Sequence, residues 1–275
     1  TVELRKLKSG KSNISKTSLQ SWETRDYPSS EALAKIKSFY RDSDFNAVEV
    51  IQTKNDASSP IGSEEHNNKQ LKRLIKLIEE AQQLLQKATD DIGRLKVAEA
   101  ISLEAFSIAQ ELGNINGRVR SLIYLWQIYR DLKEFDLMID YGRDLFNLVT
   151  DQQKSNAAVN LALGYAERVH LRHKNSQSPE LILEDMKEML LLLENHVGQK
   201  DALKYVLKAA VYRVQQYYRG SLDEQNRALT DGIESINQAL ELNKRDFVTW
   251  DIKIALLLMR RMPGDLEEAI KAAEK

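Results

Sequence analysis

Cysteine is absent from the 275 residues, which removes disulfides, thiolate metal sites and thiol nucleophiles together. Only four prolines and 11 glycines interrupt the chain, few enough for a molecule that is mostly helix. No run of ~18 uncharged apolar residues occurs, and the N-terminal residues lack the apolar stretch of a signal peptide. A cytoplasmic protein without a membrane segment is therefore expected, with the nucleus left open. Neither sign of charge dominates, because 40 Lys and Arg stand against 41 Asp and Glu and leave a formal charge of −1. Such a balance gives no general pull toward nucleic acid or anionic membrane, so any charge-driven binding must be local. Catalytic signatures are missing as well: there is no Walker-type glycine loop, no Gly-x-Ser-x-Gly elbow and no His-Glu-x-x-His. Neither an enzyme nor a cofactor is expected.

What is present is helical periodicity. Residues 1–28 are the exception: Arg5, Lys6, Lys8, Lys11 and Lys16 against Glu3, without apolar spacing, predict a flexible basic arm. Leu33, Ile36 and Tyr40, then Ala47, Val48 and Ile51, predict a degenerate helical pair closed by a loop at 54–66, so that 29–66 forms one region. From Asn67 to Asp90, Leu71, Leu74, Ile75, Ile78, Ala81 and Leu85 make an apolar stripe close to a heptad seam, a long first helix of the main array. Gly93 interrupts that seam. A helix follows with Ala98 and Ala105 on one face, then Gly113 as its C-cap, then a helix carrying Leu122, Leu125, Trp126 and Tyr129. Thr150-Asp151-Gln152-Gln153 and Ser221-Leu222-Asp223-Glu224 read as capping boxes, and Ser178-Pro179 as an N-cap with a first-turn proline. A further helix is expected from Gln199 to Arg219.

Small residues seven apart pack against a Leu/aromatic ladder, the corresponding second-helix positions Ala98 and Met138 lie about 40 residues apart, and Leu161, Ala162 and Tyr165 echo Leu125, Trp126 and Tyr129. Gly232-Ile233-Glu234-Ser235-Ile236-Asn237-Gln238-Ala239-Leu240-Glu241-Leu242-Asn243 repeats the pattern once more, before Trp250. This resembles the tetratricopeptide repeat in an extended, degenerate form. The resemblance implies an all-α fold, a right-handed α-α superhelix of antiparallel helix pairs over 67–275. The pattern still runs at Lys275, so the array is expected to continue or to lack its last helix.

The first helix of each pair lines the concave side of such a superhelix. If Leu125, Trp126 and Tyr129 pack inward, Arg120, Gln127 and Arg130 should face the groove, with Asn156, Asn160 and Arg213 in later repeats. Arg and Asn there could hold a peptide backbone or an acidic side chain through bidentate and amide hydrogen bonds. The family's two-carboxylate clamp is not matched. The leading expectation is a scaffold that binds a segment of another protein, or of its own polypeptide, with self-association through the end helices open.

Two alternatives stand beside it. Leu240-Glu241-Leu242-Asn243 with Phe247 and Trp250 is similar to the repeat of protein prenyltransferase α subunits, which would imply a regulatory subunit of an enzyme. Tyr205, Tyr212, Tyr217 and Tyr218 interleave with Lys204, Lys208, Arg213 and Arg219, the mixture that binds single-stranded nucleic acid by stacking. His170 and His173 lie three apart, but Arg172 and Lys174 beside them disfavour a metal cation, so no metal is expected.

Overall fold

The computed structural model describes residues 61–87, 91–244 and 246–274; the basic arm and the helical pair expected before residue 61 lie outside them. Among the described residues the fold is all-α, without a strand. Its helices are α1 (Ile61–Lys87), α2 (Ile92–Glu111), α3 (Ile115–Leu132), α4 (Phe135–Leu148), α5 (Asp151–Lys174), α6 (Pro179–His196), α7 (Ala202–Gln215), α8 (Leu222–Leu242), α9 (Phe247–Arg260) and α10 (Asp265–Ala273). A 3₁₀ turn, Gln216–Tyr218, follows α7. Helix α1 thus begins at Ile61, inside the stretch expected to be loop, because the apolar stripe tolerates polar residues ahead of it once the seam is buried. The helix expected to run to Arg219 stops at Gln215 and tightens into that turn, and the last helix closes at Ala273.

Short polar turns set the alternation. Gly113 takes φ 62°, its N–H reaches the Gln110 carbonyl at 3.1 Å, and the Asn114 N–H reaches that of Ala109 at 2.8 Å. Those two bonds close α2 in a Schellman motif. Asn114 then caps α3, its side chain accepting from the Gly117 N–H at 2.8 Å. The α3–α4 turn repeats the motif with Lys133 at φ 62°. The box at Ser221 forms with both of its halves, whereas Thr150 caps α5 without a side-chain bond. Ser178 also makes no cap bond to the backbone; its hydroxyl meets the Glu180 carboxylate instead.

The chain divides between Leu207 and Lys208 into two compact units. In the first, each helix from α1 to α6 packs against its sequence neighbours, and α1 also meets α3. Leu74 and Ile78 of α1 join Ala105, Ile108 and Ala109 of α2 in one cluster. Val119, Leu122 and Ile123 of α3, Leu145 of α4, Val149 and Ala157 of α5 form the next. Each Val, Leu or Ile among them contributes about 1.5–3 kcal/mol when fully buried. The expected small positions bring the helices close: Ala98 and Ala105 are fully buried, and a side chain on Gly142 would lie 3.2 Å from Leu161 and 3.3 Å from Trp126. In the second unit α8 packs on α9 and α9 on α10. Gly232 faces Leu256 of α9 there, which explains the glycine in the repeat-like segment.

Candidate functional site

Helix α3 packs against α1, α2 and α4, and half of its positions are buried. Of the residues expected to line a groove, Arg120 and Gln127 share one of its faces, two turns apart, and both are half-buried. Arg130 is not available for a ligand. Its side chain is only 9% exposed, its guanidinium lies 5.4 Å over the Trp126 ring, and it pairs with Asp131 at 2.9 Å. Asn156 on α5 is exposed, but Asn160 falls within the run 157–167 in which every residue is buried. Arg213 is 2% exposed. Of the six, Arg120, Gln127 and Asn156 are thus exposed or half-buried while Arg130, Asn160 and Arg213 are covered, because helix spacing tells which residues share a face and not how much of that face a neighbour covers.

Beside those residues stands a feature that the sequence reading missed. Arg118 and Lys154 each lie four residues beyond the caps of their helices, Asn114 and Thr150. Arg118 sits 5.9 Å over the ring of Phe106, and Lys154 sits 4.2 Å over the ring of Phe146. The two phenylalanines are about 40 residues apart, the same offset as Ala98 and Met138, and both pack against the α3–α4–α5 cluster. Tyr124 packs there too; burial pushes its phenol up, and the nearby Arg120 charge partly counters that. Two cations, each over a ring, thus mark the edge where α2 and α4 end and α3 and α5 begin. Each cation over a ring gains about 0.5–1 kcal/mol at an exposed site. The repeat offset applied to Phe106 would have found the pairing.

At the opposite edge the charges are used internally. Arg168 donates to both oxygens of Asp185, at 3.0 and 2.6 Å, and to Asp136 at 2.6 Å, while Arg172 reaches Asp185 at 2.7 Å. Asp185 is 3% exposed, so the cluster ties α4, α5 and α6 together. Burial works against the Arg168 charge, and the two carboxylates more than offset it, holding its pKa above the ordinary value. Tyr129 donates to Glu99 at 2.7 Å and stacks on Tyr141 with ring centres 5.3 Å apart. Burial first, and then the Glu99 carboxylate, push the Tyr129 phenol up, so it stays a donor. Arg143 donates to the Tyr165 hydroxyl at 2.7 Å.

The interleaved segment 204–219 does not form one displayed strip. Lys204 is buried, with its ammonium at 3.1 Å from the Val197 carbonyl and 3.4 Å from Glu194, and Arg213 is buried as well. Tyr217 and Arg219 are exposed. His170 and His173 are half-buried, and among the described residues no group of three His, Cys, Asp or Glu could hold a metal ion. None of the described helices is long and apolar enough to cross a membrane. No family model, no curated protein and no solved structure matches the chain.

Proposed function

We propose that this chain is a cytoplasmic binding scaffold, a stack of helix pairs of the tetratricopeptide type that holds a segment of another protein and performs no chemistry on it. The observation that carries the reading is the doubling of one arrangement, Arg118 over Phe106 and Lys154 over Phe146, at equivalent positions of successive helix pairs. A surface that repeats suits an extended polypeptide, whose own groups repeat along its length. Arg120, Gln127 and Asn156 add donors beside it. The buried ion pairs of Asp185 hold α5 and α6 in fixed register, and a surface fixed before binding loses less entropy on binding.

Site-specific photo-crosslinking tests the reading. A crosslinker at Asn156 or Gln127, in cell extract, should trap a polypeptide whose attachment maps to one contiguous segment, and one at the exposed Glu79 of α1 should not. The same products from all three positions, or none from any, would dismiss it.

A further inference from the structure

The edge formed by the ends of α2 and α4 and the beginnings of α3 and α5 has a chemistry that names its occupant, on the premise that the chain is a binding scaffold. We propose that this edge takes an acidic segment of a partner protein, with carboxylates on Arg118 and Lys154 and apolar side chains against Phe106 and Phe146. Neighbouring helices run antiparallel here, so the positive end of one dipole lies beside the negative end of the next and the two largely cancel. The side chains carry the charge.

Those side chains are placed for a carboxylate. Arg118 and Lys154 hold their cations over rings, at 5.9 and 4.2 Å, where part of the hydration shell has already been given up to a hydrocarbon face. The Arg118 Nε is buried and has no hydrogen-bond partner among the described residues. Phe106 and Phe146 are only partly buried, and the Phe146 ring and His196 of α6 meet edge to face with ring centres 4.9 Å apart, which extends the aromatic surface by one more helix. Charge complementarity to such a surface requires anions alternating with apolar groups. A polypeptide of Asp, Glu and Leu has that composition, whereas a nucleic-acid backbone offers only anions on its outer face. Two cations on a chain of net charge −1 also supply little of the phosphate neutralisation on which nucleic-acid binding depends.

The test uses the full chain and fluorescence anisotropy of three labelled probes: a peptide of Asp, Glu and Leu, the same peptide with Asn and Gln for its acids, and a single-stranded oligonucleotide. The acidic peptide should bind, less tightly as salt rises, and the double change R118Q/K154Q should weaken it by roughly tenfold or more. Removing two exposed charges elsewhere, K72Q/K187Q, should leave the affinity in place, and circular dichroism should show equal helicity for all three proteins. The proposal is overturned if the acidic peptide does not bind, if the amide peptide binds as well, if both double variants lose affinity equally, or if the oligonucleotide binds more tightly. A segment trapped from Asn156 but indifferent to R118Q/K154Q would sink this proposal and leave the scaffold reading standing. No trapped segment and no peptide binding would end both.

Discussion

Two aspartates carry more of the fold than their number suggests. Asp185 accepts from both Arg168 and Arg172 and is almost without solvent. Asp185→Asn leaves two partly buried guanidiniums with a weak acceptor, and a loss of about 3–5 kcal/mol is expected, read as a lower urea midpoint. Asp265 plays the same part between α9 and α10, accepting from Arg260 at 2.6 and 3.1 Å and from the Met262 N–H at 2.7 Å. Burial alone would raise its pKa, but the Arg260 guanidinium and the Met262 N–H outweigh burial and hold it below the ordinary carboxylate value. Glu99 is held down likewise, its burial outweighed by Lys96 and Tyr129. A folded pKa below the unfolded one gives stability that is complete above the unfolded value of ~4 and is lost as pH falls through the folded value. The urea midpoint should therefore decline below about pH 4. The difference between the natural chain and Asp265→Asn, large at neutral pH, should narrow over that range; a difference that stays constant with pH would show that the carboxylate charge is not what holds α10.

At the scale of the element, turns and close approaches decide. Lys133 occupies a left-handed position, φ 62°, in the same motif that α2 closes with Gly113. A side chain there costs roughly 1 kcal/mol that glycine avoids. Lys133→Gly should raise the melting temperature and Gly113→Ala should lower it, the opposite signs at matched turns being the check. Gly142 is a different case, because its constraint is space. A methyl group would lie 3.2 Å from the Leu161 side chain and 3.3 Å from Trp126, so Gly142→Ala should cost about 1–3 kcal/mol by overpacking even though alanine is the better helix former. A stabilising effect would mean that α4 can move away from α3 and α5 at no cost. The glycine positions of the turns are legible from sequence, since a conformation demands the residue. That of Gly142 is not, since a neighbour demands it.

For the whole molecule, contacts run between helices near in sequence, the condition under which parts of a helical array unfold separately. Among the described residues, the division between Leu207 and Lys208 leaves one tryptophan on each side, Trp126 deeply buried in the first unit and Trp250 half-buried in the second. With Trp22 replaced, variants retaining only Trp126 or only Trp250 should show urea transitions that do not coincide. Coincident midpoints would make the described residues one cooperative body.

Sequence by itself determined which segments are helical and which of their faces are apolar, since the 3.6-residue period is a property of one chain segment and is written in it. It also determined the cap at Ser221, the glycine turn after α2 and the small positions at Ala98 and Ala105, all of them local demands. It placed α3 at the centre of the expected site. Tertiary structure decided which polar residues on those helices meet solvent. Arg130, Asn160 and Arg213 have the spacing of groove residues and are covered, while Arg118 and Lys154, which showed no pattern of their own, gain one only when each is seen over the phenylalanine of the helix before it. The physical reason is that burial depends on the neighbouring helix, and which helix that is depends on turn geometry and close packing summed along the chain.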